Sequence, residues 1–143
     1  MKKLFYFLPT FLLLAFSFLQ HNFSEIEEGV VSKVIDGDTF ELKSGERVRL
    51  IGIDAPEQGE FLYEEARDFL KEMVEGKRVK MERESQNKDK YGRFLRYVFV
   101  EGKLVNCELL KKGFAKSIAK TKYECFEQAE KEAREKKIGI WSS

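Results

Sequence analysis

Histidine is nearly missing from this chain. His21 is the only one among 143 residues, and it lies ahead of every stretch patterned like a folded segment. A fold without imidazole cannot build a Ser-His-Asp or Cys-His arrangement. Cysteine is also scarce, and Cys107 and Cys125 without histidine cannot complete the usual tetrahedral zinc site. Repeats, low-complexity tracts and interdomain linkers are absent as well. Nor does one sign of charge dominate: 26 Lys and Arg face 25 Asp and Glu, and setting aside Lys2 and Lys3 leaves 24 against 25. Total charge therefore gives no argument for nucleic acid, and any such argument has to be local. For chemistry, these absences leave carboxylates, Lys, Arg, Tyr and oxygen-bound metals.

The length suits one domain with a real core, and 36% charged with 43% hydrophobic residues describes a globular, well-solvated chain. Met1-Lys2-Lys3 precedes a mostly apolar run from Leu4 to Leu19 that includes Pro9. That run is longer than a typical signal core and shorter than a comfortable membrane span. Ala15-Phe16-Ser17 offers a weak cleavage pattern. Residues 1–23 are expected to be a signal peptide or an uncleaved N-terminal membrane anchor. Either one puts the domain at 24–143 outside the cytoplasm, secreted or extracytoplasmic. Export leaves two readings of Cys107 and Cys125: one disulfide, or two buried small apolar residues on separate helices. The second is favoured, because nothing in the sequence shows their distance.

Gly29 to Ile35, Thr39 to Lys43 and Arg47 to Ile53 read as three strands, with turns at Asp36-Gly37-Asp38 and Ser44-Gly45-Glu46. Leu62, Ala66, Phe69, Leu70 and Met73 recur at helical spacing within Phe61 to Glu75, and Gly76 is a natural stop. Val79 to Glu84 and Phe94 to Val100 are two further strands around a polar loop. Val105 to Lys112 and Tyr123 to Lys137 are helices, the second with Phe126, Ala129 and Ala133 inward, and Trp141 docks the C-terminus. The fold class is α+β, mainly β: a five-stranded OB-type barrel with three helices.

Asp36, Asp38, Arg49, Asp54 and Glu57 lie among strand-like apolar residues from Val34 to Ile53. Charges beside a core are costly unless paired or bound to an ion. Counting from Asp36, an EF-hand would need Gly at its sixth position and Glu at its twelfth; Glu41 and Arg47 stand there, so that motif fails. Asp38 and Asp54 remain suitable oxygen ligands for a hard divalent cation, with Glu57 as general base and Arg49 as cationic stabiliser. The plainer readings are a turn between strands, surface acids beside Pro56, and an arginine paired with a structural carboxylate.

Geometry sets a condition on the site. On a straight strand Arg49 and Asp54 would lie about 17 Å apart and face opposite sides. They converge only if the strand kinks, and Gly52 between them is the expected bend. The polar loop supplies the missing local positive field, with eight basic against three acidic residues from Lys77 to Arg96, Tyr91 and Arg93 among its candidate phosphate contacts. Taken by itself, this is a solvated loop. Phe61 to Glu75 is acidic, so a nucleic-acid cleft should lie away from that helix face.

Five segments occur in order: VIDGDTFEL, VRLIGIDAPE, DKYGR, GKLVNCELLKKGFAK and the terminal GIW. Together they resemble the thermonuclease family, the staphylococcal (micrococcal) nuclease homologues, from about Gly29 to Trp141. The resemblance implies an OB barrel with three helices, Ca2+ as cofactor, and DNA and RNA as substrates. It implies Asp38 and Asp54 as carboxylate ligands, with the backbone carbonyl of Ala55 beside them where the best-known member has Thr. Arg49 and Arg93 match the two phosphate-binding arginines, and Glu57 the carboxylate that activates or orients water. Lys90 and Tyr91 match contacts to a terminal phosphate, and Asp36 an acid behind the ion. The bond cut in the family is on the 5′-oxygen side, leaving 3′-phosphates.

This chain departs from that pattern in two places. The segment after Glu57 is shorter, and the tyrosines that flank the nucleotide base have no counterpart, with Ala119 and Lys120 in that neighbourhood. Base stacking contributes about 1–3 kcal/mol per base, so weaker substrate affinity or a different end preference is expected. The leading reading is an exported, monomeric, calcium-dependent phosphodiesterase of low sequence specificity with no protein partner. The alternatives are a noncatalytic OB-fold module that binds oligonucleotides or a protein, and a structural envelope protein whose charges pair internally.

Overall fold

The strand on which the barrel turns is β1, Ile26–Asp36. In the computed structural model, which describes residues 26–143, its first half pairs antiparallel with β5 (Arg78–Glu82) and its second half with β2 (Thr39–Leu42). The leader expected over 1–23 lies outside the described residues. Register shifts between Val31 and Lys33 and between Val34 and Asp36 mark where β1 coils from one neighbour to the other. Such irregularities raise local twist, which is how a short strand set curls into a barrel.

β2 pairs antiparallel with β3 (Arg47–Leu50), and β5 with β6 (Phe94–Val100). β3 and β6 then pair in parallel, Arg49 opposite Leu95 and Leu50 opposite Arg96, which closes the ring. The result is the expected five-stranded OB-type barrel. Around it stand three helices: α1 (Tyr63–Val74), α2 (Val105–Lys111) and α3 (Cys125–Lys136). Their inward faces, with Ala66, Leu70 and Val74, then Val105, Leu109 and Leu110, then Phe126, Ala129 and Ala133, are buried with Phe40, Val48, Leu50 and Val98 of the barrel. Each large aliphatic side chain so buried contributes about 1.5–3 kcal/mol. At the end of α1, the Glu75 carboxylate accepts from Val34 N–H (3.1 Å) and Gly76 N–H donates to the Val31 carbonyl (2.9 Å). These bonds dock the helix directly behind the Asp36–Asp38 turn.

Three findings differ from the sequence reading. The third strand is not continuous to Ile53: it stops at Leu50 and resumes as β4 (Ile53–Asp54), which pairs with β8 (Lys116–Ser117). β4, β8 and β7 (Lys103–Leu104) are two residues each, too short to leave a periodic signal. The last helix starts at Cys125 and not at Tyr123, whose N–H is taken by the Thr121 hydroxyl (3.3 Å) and whose own hydroxyl donates to Glu82 (2.9 Å). The favoured reading of the cysteines as separate apolar residues is corrected. Cys107 on α2 and Cys125 at the start of α3 are disulfide-bonded, because these two helices pack together and bring the Cα atoms to 6.0 Å.

Candidate active site

The site begins with the kink between β3 and β4. Ile51 and Gly52 form a turn, and Gly52 takes φ 73°, a backbone region that L side chains rarely adopt. A Cβ there would also meet Phe126 and Thr121, each at 2.9 Å. The bend is held from below by the buried side chain of Asn106, which donates to the Ile51 carbonyl (2.9 Å) and accepts from Val98 N–H (3.1 Å). Because the chain turns here, Arg49 and Asp54 do not point to opposite sides. Arg49 Nη2 lies 3.5 Å from Asp54 Oδ1.

The same nitrogen lies 3.2 Å from Asp38 Oδ2, so one guanidinium stands between the two aspartates. Its other terminal nitrogen donates to the carbonyls of Leu50 (2.7 Å) and Ile53 (2.8 Å), spanning the kink. Asp38 is 7% exposed and accepts from the Thr39 hydroxyl (3.0 Å) and from Ala55 N–H (3.0 Å). Burial pushes its carboxyl up to about 6, although Arg49 pulls the other way; the neighbouring Asp36 adds to the rise. Asp36 also accepts from Asp38 N–H (3.0 Å), shaping the turn that delivers Asp38. Gly37 is needed in that turn for space, since a Cβ would sit 2.8 Å from Ala55 Cβ and 2.9 Å from Ala66 Cβ.

Arg93 arrives from the other side. It lines with Arg49 a cavity of about 450 Å³, whose far wall includes Ile118 and Ala119. Its Nε donates to Asp89 (2.7 Å), and Asp89 also accepts from the backbone N–H groups of Arg93 (3.0 Å) and Tyr91 (2.9 Å). Burial raises the Asp89 carboxyl, but the Arg93 and Tyr91 donors outweigh it and leave the group below its ordinary value. Tyr91 is 71% exposed, with Lys90 Nζ 5.1 Å and Arg93 Cζ 5.3 Å from its ring centre. A phosphate approaching this tip meets two cations close to an exposed aromatic ring.

Glu57 is exposed, three residues beyond Asp54. Its N–H donates to Glu60 Oε1 (3.0 Å) and its carbonyl accepts from Glu60 N–H (2.9 Å), closing the short turn that leads to α1. The structure brings together Asp36, Asp38, Arg49, Asp54 and Ala55 by direct bonds, and Arg93 through the shared cavity. No hydrogen bond or ion pair joins Glu57 to that cluster; it follows Ala55 by two residues in the chain. Sequence reasoning missed Thr39, Asp89 and Asn106. Asp89 had a signal, its i,i+4 spacing to Arg93; Asn106 had only its polarity in an otherwise apolar helix face.

Among the described residues, no three His, Cys, Asp or Glu side chains converge into a ready metal cage. Two carboxylates do converge on one cationic group, and one of them, Asp38, is buried, where desolvation raises its carboxyl despite Arg49. Two carboxylates, a nearby carbonyl and solvent form a donor set that a hard oxygen-seeking cation accepts. The residues present therefore fit such an ion.

Barrel and cleft together define an OB-fold protein in which two arginines line one cavity beside a pair of carboxylates. The pattern of the staphylococcal nuclease homologue family matches residues 47–143. Thermonuclease of Staphylococcus intermedius is 40% identical over 128 residues, covering 80% of this chain and 76% of its own length. Thermonuclease of Staphylococcus hyicus is 38% identical over 126 residues, covering 79% and 75%. An uncharacterized endonuclease of Haemophilus influenzae is 34% identical over 140 residues, covering 94% of this chain and 78% of its own. The chain belongs to the staphylococcal nuclease homologues and is a nuclease, a phosphodiester hydrolase.

Proposed function

We propose that this protein is a calcium-dependent phosphodiesterase that hydrolyses DNA and RNA with low sequence specificity and leaves 3′-phosphate ends. The observation that carries the reading is the Arg49 guanidinium set between the Asp38 and Asp54 carboxylates, on a cavity that Arg93 also lines. Asp38, Asp54 and the Ala55 carbonyl would hold the calcium ion, which when bound would supply Lewis-acid charge to the reaction. Asp36 steadies the Asp38 turn.

Glu57 takes a proton from the attacking water, or orients that water. The water oxygen bonds to phosphorus as the bond from phosphorus to the 5′-oxygen breaks, and the leaving oxygen takes a proton from solvent. Arg49 and Arg93 offer N–H donors to the nonbridging oxygens as charge grows on them, a preorganised interaction that contributes about 3–4 kcal/mol per donor group in comparable sites. Lys90 and Tyr91 receive a terminal phosphate. Residues 1–23 export or anchor the domain at 24–143, which works outside the cytoplasm as a monomer. The Cys107–Cys125 disulfide favours an oxidising compartment.

Digestion of DNA and of RNA with calcium, and again with a chelator, tests the reading when the product termini are analysed. Cutting that stops with chelator and leaves 3′-phosphates is expected. Cutting that persists in chelator contradicts the calcium requirement, and binding without cutting favours a noncatalytic OB-fold module.

A further inference from the structure

Arg96 is a charged side chain that the mechanism leaves unused, yet it is 1% exposed within β6. Its donors are all engaged. Nε and Nη2 form a fork on the Glu27 carboxylate at 2.8 and 3.2 Å. Nη2 also donates to the Asn87 side-chain oxygen (2.7 Å), and Nη1 to the carbonyls of Asn87 (3.1 Å) and Leu95 (2.8 Å). No N–H is left over for a substrate. With the guanidinium buried and the Glu27 carboxylate partly exposed, this ion pair is poor evidence for stability, because desolvation of Arg96 offsets the attraction. Its role is better sought in the geometry it fixes.

That geometry leads to Arg93. Asn87 stands at the base of the loop that returns at Leu95, whose N–H donates to the Asn87 carbonyl (3.0 Å). The next rung is the bridge between Lys88 and Phe94. Above it, Asp89 N–H donates to the Arg93 carbonyl (3.0 Å), and the Asp89 carboxylate holds the Arg93 backbone and guanidinium. On its other side, the Arg96 carbonyl accepts from Ile51 N–H (2.9 Å), the first residue of the kink that turns Asp54 toward Arg49. One residue thus fixes the bases of both arginine-bearing segments.

We infer that Arg96, anchored by Glu27 and clamping Asn87, is a positioning residue for Arg93, setting the loop so that its guanidinium faces the cavity shared with Arg49. This rests on the role proposed above for Arg93. Arg96→Lys keeps the charge and loses the fork. Asn87→Ala removes the side-chain arm of the clamp at a partly exposed position. Displacing a catalytic group by about 1 Å can cost on the order of 100-fold in rate.

The test is kcat on DNA at saturating calcium, measured well below each variant's unfolding midpoint, in both the wild-type and Arg93→Ala backgrounds. Expected is a loss of about 10- to 100-fold for Arg96→Lys and a smaller loss for Asn87→Ala. With Arg93→Ala already present, both effects should vanish. A purely structural clamp lowers the unfolding midpoint and leaves kcat alone, which overturns the inference. So does a loss that multiplies with that of Arg93→Ala. If Arg96→Lys does not fold, Asn87→Ala decides by the same comparison. Wild-type rates for Arg93→Ala alone overturn the role of Arg93 itself, and the clamp's catalytic meaning with it.

Discussion

Arg49 lies 3.2 Å from the buried carboxylate of Asp38, and the same guanidinium holds the carbonyls of Leu50 and Ile53 across the kink. Pairing and bending are therefore one event: the chain cannot straighten at Gly52 without pulling Arg49 from its carbonyls. A buried carboxylate that lost this partner would be left almost uncompensated. The proposed site is built on that dependence.

Replacing Gly52 by alanine tests the bend. The φ of 73° and the 2.9 Å approaches to Phe126 and Thr121 both oppose a side chain. Gly52→Ala should destabilise by about 1–3 kcal/mol, read as a lower denaturant midpoint with unchanged slope. Turnover of the folded fraction should fall too, since Asp54 moves away from Arg49.

Stability of the metal-free protein should carry a signature of Asp38. Its folded pKa is about 6, above the ordinary 3.8, so between these values the folded state binds the extra proton. The Asp38 contribution is then present at low pH and is lost as pH rises from about 4 to about 6, on the order of 3 kcal/mol. Urea midpoints across that window, compared with Asp38→Asn, isolate it: the variant should lack the loss. Calcium should cancel it as well, because the ion favours the ionised form, and apparent calcium affinity should fall as pH drops below about 6.

Glu57 is exposed, so its carboxylate can be neutralised without disturbing the core. Glu57→Gln should lower kcat by about 100- to 10,000-fold with an unchanged unfolding midpoint. Near-normal rates in DNA digestion would remove Glu57 from the mechanism.

Much of this was legible in the chain, and for identifiable reasons. Alternation marked the barrel strands, and the Gly52 break had a residue to announce it. On the first helix, Ala66 and Leu70 of the buried face followed from spacing, while Val74 emerged only from the structure. What escaped depended on contacts far apart in sequence. Arg96 and Glu27 are 69 positions apart, and nothing local to either predicts their fork. The disulfide required knowing that α2 and α3 pack together. The two-residue strands β4 and β8 exist only because each supplies the other's partner.

The disulfide closes the segment from Cys107 to Cys125, which contains β8 and the cavity-wall residues Ile118 and Ala119. Reduction should lower stability by about 3 kcal/mol through freed chain entropy. A thermal melt with and without reductant measures it, and Cys107→Ala/Cys125→Ala should melt like the reduced protein.

Calcium-titrated turnover on DNA, wild type beside Asp54→Asn, reaches the proposed metal site most directly. With one of the two carboxylates neutralised, the calcium concentration for half-maximal rate should rise at least about tenfold, while circular dichroism shows the barrel intact. An Asp54→Asn curve that overlays the wild type would mean that Asp38 and Asp54 do not share an ion.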